Sequence, residues 1–392
     1  MRILFFCGSL EPGRDGVGDY TRALARACFQ QGHECRIVAL NDMHVLERKE
    51  SDDVVAGSRL VSLRLPSIMA WEERVRLAAD FRSRFQPDWQ SLQLVCYGLQ
   101  RKGILWNVNR HLKLLLAGCP LHIMVHEVWI GLSPHSPLKH RVTGVIQRLC
   151  LQRLCAMVRP DVVTTSNPLY RVLLQQIGVT STVLPLLNNI PIVQGNTDYP
   201  QSLSAAGIKP ADRGEWWFGL FFGELYPEWK PEPFLTIARA SAQKAGRKLA
   251  FISLGRSGLF GPGIWQRLQR DYPGITFVTM GEQSFETVSA VMQLCDFGVP
   301  TSALQLIGKS GSAAAMLEHG LPVIVTRTDP QFRFAFSGPS TSDPMVFPCD
   351  ATLEAKMSAG LPRNPPEPRA AHIAARFCEL LAGSAPAAPR AC

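Results

Sequence analysis

The residues best placed to do chemistry lie in the stretch Gln305-Leu-Ile-Gly-Lys-Ser-Gly-Ser-Ala-Ala-Ala-Met-Leu-Glu-His-Gly-Leu-Pro-Val-Ile-Val-Thr326. A loop with two glycines, two hydroxyls and a lysine runs into an alanine-rich helix. The helix is expected to stop at Gly320, and Pro322 leads into a β-branched strand. Backbone N–H groups of Ser310, Gly311 and Ser312 would be unpaired at the helix start, where the dipole is positive and Lys309 adds a full charge. Such a start suits an anion, best a phosphate. The plain alternative is an ordinary βα loop with a well-capped helix.

Other candidate loops also follow expected strands. Gly13, Gly16 and Gly18 lie between the first strand and the first helix and would let the backbone approach a ligand closely. Their spacing is not that of a dinucleotide fingerprint, and Asp15 and Asp19 would repel a pyrophosphate. His126-Glu127 closes the apolar run Ile-Met-Val, so a polar pair stands at a strand end; spacing alone assigns neither as acid or base. Gly223 to Lys230, the bracket Gly255-Arg256-Ser-Gly258 and Met280-Gly281-Glu282-Gln-Ser284 follow three strands of the second half. Lys230, Arg256 and Lys309 would then stand at strand ends of one domain, an arrangement suited to a diphosphate.

Alternating elements position these loops. Strands are expected at 2–7, 35–40, 60–65, 92–97, 122–125, 162–165 and 183–187, with helices at 19–31, 72–85 and 139–157. The second half gives strands at 217–222, 249–254, 275–279, 297–299 and 323–326. Its helices fall at 233–245, 285–294 and 311–319. Strands separated by helices imply parallel sheets covered on both faces. The domains read as 1–194, a linker at 195–214 rich in turn-forming residues, and 215–362. A C-terminal helix at 363–383 could pack back on the first domain, and 384–392 reads as a tail. The expected fold is α/β, with two doubly wound, Rossmann-like domains facing each other across a cleft whose ligands bind outside the strand carboxyl ends.

Composition narrows the partners. With 46% hydrophobic and 19% charged residues the chain is globular. The formal net charge of +9 allows nucleic acid, an anionic membrane or a phosphorylated substrate. The basic residues look spread out, with mild clustering at Arg101-Lys102, Lys139 to Arg141, and Arg148 with Arg153. No nucleic-acid module accompanies them, so nucleic acid ranks lowest. Eleven cysteines without a Cys-x-x-Cys pair argue against disulfides and zinc. With no long apolar run, the expected location is cytoplasmic.

These motifs together resemble the two-domain GT-B glycosyltransferases, particularly family four, which use nucleotide-diphosphate sugars with retention. The resemblance rests on the glycine-rich first loop, Gly32-His33, His126, Asn188-Asn189-Ile190, Gly223 to Lys230, Gly281-Glu282, and Gly320-Leu-Pro-Val-Ile. The family's Glu-x7-Glu pair would fall at Ile307 and Ala315 and is absent, and its usual arginine is Glu224. Lys309, Ser310 and Ser312 would replace some lost contacts, and Glu318, one helical turn beyond Ala315, would take over a ribose contact or face solvent.

The resemblance implies a hexosyltransferase moving a sugar from nucleotide to acceptor hydroxyl, for glycan, glycolipid or glycosylated-metabolite synthesis. Lys230, Arg256, Lys309 and the Ser310–Gly311–Ser312 helix start would stabilise the leaving diphosphate without a metal. No cofactor is implied beyond the sugar nucleotide. His126 would orient a sugar hydroxyl. Gly16, Gly18, Glu224, Gly255, Gly281 and Glu282 would border the donor, and the 93–101 loop would help hold the acceptor. Trp106, Arg110 and Lys113 could rest on the inner membrane face if the acceptor is lipid-linked. Two alternatives are a non-catalytic scaffold binding a nucleotide or partner, and a sugar-nucleotide epimerase or hydrolase using Glu127 and Glu282.

Overall fold

A computed structural model describes residues 1–384 apart from 56–57, 189, 195–199, 228, 329–331, 333–340 and 342. The chain divides into two compact units. Unit 1 holds Met1–Leu187 and the C-terminal segment from Ala370; unit 2 holds residues 188–330 and 339–369.

Unit 1 is built on an eight-stranded sheet in the order β3-β4-β2-β1-β5-β6-β7-β8. The strands are β1 (Arg2–Cys7), β2 (Glu34–Asp42), β3 (Lys49–Val55), β4 (Ser58–Pro66), β5 (Trp89–Leu94), β6 (Leu121–Val125), β7 (Val162–Thr165) and β8 (Thr182–Val183). All pairings are parallel except β3 with β4. β1 is central and apolar along nearly its whole length because helices cover both of its faces. The helices are α1 (Gly16–Gln30), α2 (Trp71–Phe85), α3 (Cys96–Leu99), α4 (Val108–Leu116), α5 (Leu138–Val158), α6 (Pro168–Gln175) and, from the end of the chain, α13 (Ala370–Gly383). α13 joins this core through Ile373, Phe377 and Leu381, with Phe377 stacked 5.9 Å from Phe5.

Unit 2 carries a six-stranded, all-parallel sheet in the order β11-β10-β9-β12-β13-β14. Its strands are β9 (Trp216–Phe222), β10 (Lys248–Leu254), β11 (Thr276–Gly281), β12 (Phe297–Gly298), β13 (Val323–Val325) and β14 (Val346–Pro348). Its helices are α7 (Gln201–Ala205), α8 (Glu232–Lys244), α9 (Gly261–Asp271), α10 (Phe285–Leu294), α11 (Gly311–Glu318) and α12 (Leu353–Ala359). The winding reverses between β9 and β12, and it is outside the strand carboxyl ends at such a switch point that open α/β sheets bind their ligands.

The expected α/β architecture with two parallel sheets is present. Besides elements that were not expected (β14 and helices α3, α4, α6, α9 and α12), three details differ from expectation. β3 is an extra strand whose sequence, Lys-Glu-Ser-Asp-Asp-Val-Val, lacks an apolar pattern; it pairs at an edge, where charged side chains are favoured. The division between units falls at Leu187/Asn188 rather than after residue 194, because Ile190, Leu203 and Ile208 are buried in the core of unit 2. The expected linker contains α7 and a 3₁₀ turn at Pro210–Glu215, while its residues 195–199 and most of the expected tail lie outside the described residues.

Candidate functional site

In unit 2 the loops leaving β9, β10, β11, β12 and β13 are tied to one another. The N–H of Gly223 donates to Leu254 O at 3.0 Å, that of Leu225 to Ser257 O at 3.0 Å, and that of Gly255 to Gly281 O at 2.7 Å. Thr301 Oγ1 donates to Glu224 O at 2.8 Å, and the Leu304 N–H to Arg327 O at 2.8 Å. Gly255 and Gly281 have φ values of +82° and +67°, which glycine adopts without strain. The result is one braced rim along the strand carboxyl ends.

The expected residues Lys230, Glu224, Gly255, Arg256, Gly281 and Glu282 all lie on this rim. Trp229 is 1% exposed, and its indole N–H donates to Thr326 Oγ1 at 2.8 Å, so it anchors the chain just before the exposed Lys230. Arg256 Nε stands 2.7 Å from a Glu282 carboxylate oxygen, joining two exposed side chains across neighbouring loops. The exposed Glu224 side chain lies over Gly258, close enough that a Cβ there would meet its Cγ at 2.6 Å. Sequence reasoning missed Trp229 and the exposed rings of Tyr226 and Phe260 on these same loops and of Phe285 at the start of α10. An aromatic residue in a Gly/Pro-rich strand-end loop was the available signal.

The 3₁₀ turn Leu304–Lys309 delivers the chain to α11. Ser310 is the N-cap: its Oγ accepts the Ala313 N–H at 3.3 Å and lies 3.1 Å from Ser312 Oγ. The expectation of three open N–H groups is corrected to two. That of Ser310 donates to Ile307 O at 3.0 Å, whereas those of Gly311 and Ser312 meet no acceptor among the described residues. Lys309 is half-buried at the end of the turn.

Glu318 does not sit at the surface. It is 5% exposed, and its two oxygens accept the backbone N–H groups of Asn188 and Arg369, each at 3.2 Å. Burial raises its carboxyl pKa, opposed by these hydrogen bonds. Its expected ribose role is therefore corrected to a structural one: it holds the first and last residues of unit 2. His319 beside it is fully buried between Ala315 O and Ser289 Oγ.

Unit 1 holds the remaining candidates. The glycine-rich loop is pinned by its own carboxylates. Asp15 caps α1 by accepting from Val17 and Gly18, Asp19 accepts from Gly13, and buried Asp42 accepts from Leu10 and Ser9. Gly18 is required by packing, since a Cβ there would strike Ser9 O; beside Gly16 there is open space. With the Gly18 N–H already donated to Asp15, that group is not open to a donor phosphate.

His126 is 6% exposed, with its ring edge-on to Tyr20 at 4.8 Å. Its Nε2 lies 2.9 Å from Gln93 Oε1, and Gln93 Nε2 donates to Ser91 Oγ at 2.8 Å. Ser91 Oγ lies 2.8 Å from His122 Nδ1, and His122 Nε2 lies 2.8 Å from Thr164 Oγ1, which donates to Met124 Sδ. With Oε1 of Gln93 turned to His126 and its Nε2 to Ser91, the chain runs one way: His126 donates from Nε2, leaving Nδ1 as an acceptor. Burial lowers both histidine pKa values to about 3, so the rings are neutral. Among the described residues no group of three His, Cys, Asp or Glu is placed to hold a metal ion.

No family model and no curated protein matches this chain. Solved structures of the same fold span nearly its whole length. HepE from Anabaena, bound to UDP, is 12% identical over 98% of this chain and 100% of its own, with a TM-score of 0.53. The catalytic domain of starch synthase IV from Arabidopsis thaliana, bound to ADP and acarbose, is 10% identical over 98% and 99%, with a TM-score of 0.53. UDP-GlcNAc 2-epimerase from Methanocaldococcus jannaschii is 9% identical over 98% and 100%, with a TM-score of 0.51. The chain has the GT-B fold.

Proposed function

We propose that this protein is a glycosyltransferase that moves a sugar from a nucleotide-diphosphate donor to an acceptor hydroxyl, with retention, in the manner of family four. The observation that carries the reading is the braced rim of unit 2, with Lys230 and Arg256 on its loops and two open N–H groups at the start of α11 after the loop that leaves β12. Charge grows on the leaving diphosphate in the transition state, and fixed cations with aligned N–H groups stabilise it. Lys309 acts on the same phosphates. Tyr226, Phe260 and Phe285 offer ring faces for the base. The Nδ1 of His126 accepts a hydrogen bond from a sugar hydroxyl. These groups supply the positive charge without a metal, and the reaction takes place in the cytoplasm.

The test is binding and turnover across UDP-, ADP- and GDP-sugars, with Lys309→Ala and Lys230→Ala beside the parent chain. Donor affinity should fall in both variants. Unchanged affinity removes the phosphate role. A second reading, a sugar-nucleotide epimerase or hydrolase, draws support from the epimerase of like fold; release of an epimerised or free sugar without acceptor would favour it. Binding with no turnover of any donor would favour a scaffold.

A further inference from the structure

α5 is apolar on two opposite faces. One face buries Gly144, Gln147, Cys150, Leu151, Leu154 and Cys155 in unit 1. The other exposes Leu138, Val142, Val145 and Leu149, at 75, 54, 58 and 50%. Spaced by four, three and four residues, these side chains fall within an arc of about 60° at 3.6 residues per turn, directly opposite the buried face. A surface helix of a globular protein normally turns polar residues outward. A contiguous apolar stripe rimmed by polar groups marks an interaction surface.

The rim here is cationic. By helical position Arg141 and Arg148 flank one side of the stripe, Lys139 and Arg153 the other. Most of them are held in place: Arg141 donates to the carbonyls of Ser136 and Pro134, Arg148 lies over Trp129 at 5.7 Å, and Arg153 over Trp106 at 5.1 Å. α4 is tied alongside by Asn109 Nδ2 donating to Cys150 O at 2.9 Å. It adds Lys113, exposed Leu114 and Arg110, whose charge is shared with Glu72 at 3.7 Å. Neither helix contains an acid. Between residues 100 and 159 nine Lys and Arg stand against the single acid Glu127, so nearly all of the chain's net +9 sits in this segment.

We propose that the outer face of α5, with α4 beside it, seats the protein on an anionic lipid surface. The aliphatic stripe enters the boundary between headgroups and acyl chains while the flanking cations meet lipid phosphates. A groove for nucleic acid would present cations with aromatic platforms rather than a row of Leu and Val. α5 lies on the membrane rather than across it: no helix among the described residues is long and apolar enough to span one. The inference stands apart from the transferase reading, since binding requires no turnover.

The test is flotation of the full chain with phosphatidylcholine vesicles, with and without phosphatidylglycerol. Binding should be at least about tenfold stronger with phosphatidylglycerol and weaken as salt is raised. Val145→Asp with Leu149→Asp, both at exposed positions, should lose about tenfold, as should Lys139→Glu with Arg148→Glu. Leu149→Phe should retain binding. The far-ultraviolet circular dichroism of each variant is compared with the parent so that misfolding is not read as lost binding. Equal binding to both vesicle types overturns the proposal. So does a stripe variant that folds and binds like the parent, or single-stranded RNA competing equally well for the parent and for the stripe variant.

Discussion

His126 Nε2 lies 2.9 Å from Gln93 Oε1, and that contact starts a buried chain that runs through Ser91 and His122 to Thr164. The chain crosses β5, β6 and β7, and each member has its polar groups in a consistent donor–acceptor order. Gln93, with Oε1 turned to His126, fixes which nitrogen of that ring carries the proton, and so which nitrogen can accept. Gln93→Leu should therefore shift His126 to a mixture of tautomers and lower turnover by about tenfold, the scale of one lost charge-neutral hydrogen bond. Nitrogen-15 spectra of the imidazoles check the tautomer independently of activity. A single unchanged tautomer in Gln93→Leu would show that Gln93 does not govern it.

The same burial makes stability depend on pH. The unfolded chain binds protons on His122 and His126 below about 6.5, whereas the folded rings resist protonation down to about 3. Unfolded protein thus holds more protons across this window, and stability falls as pH drops. Each ring contributes roughly 1.4 kcal/mol per pH unit. Glu318 acts in the opposite sense. Its raised pKa gives stability that is fully present below the unfolded value and is lost as pH rises through the folded one. Urea midpoints at stepped pH in the parent and in His122→Gln measure the histidine share; an identical slope in both excludes His122.

The braced rim was legible in sequence because glycine, a strand end and a cation recur together at 223–230 and 255–258, and a strand-end glycine returns at 281. The start of α11 was legible because two glycines and two hydroxyls precede its alanine run, though not which residue caps it. What stayed hidden depends on distant partners. Nothing in the sequence near Glu318 says that its carboxylate meets residues 130 positions earlier and 51 later in the chain. His126 stood out as a polar residue after an apolar run, but Gln93, which sets its proton, belongs to another strand. β3 escaped because an edge strand can be charged along its length. The concentration of positive charge at 100–159 was visible but was masked by counting basic residues without the missing acids.

Arg256 and Glu282 make a different prediction. Their exposed pair contributes little to stability, and an incoming diphosphate must share the guanidinium with Glu282. Glu282→Gln should tighten nucleoside diphosphate binding by about threefold to tenfold, because a repelling charge is removed and Arg256 is released. Arg256→Ala should weaken it. Calorimetric titration with UDP and ADP reads both, and weaker binding in Glu282→Gln would instead make Glu282 a direct contact.

Glu318 ties the two ends of unit 2 to α11, since one carboxylate holds both Asn188 and Arg369. Its backbone carbonyl also accepts the Glu367 N–H at 2.8 Å, so a second bond fixes the same returning segment. Glu318→Ala strands two N–H groups in a buried place and should cost about 2–4 kcal/mol. Glu318→Gln keeps the shape but has one oxygen, so one N–H faces an amide NH₂ and the loss should be about half as large. Hydrogen exchange at Asn188 and Arg369 separates this account from a general loss of packing. Both amides should exchange faster in Glu318→Ala, while in Glu318→Gln only one should. Equal acceleration of both amides in Glu318→Gln would mean that the carboxylate charge, rather than its two acceptors, holds the segment.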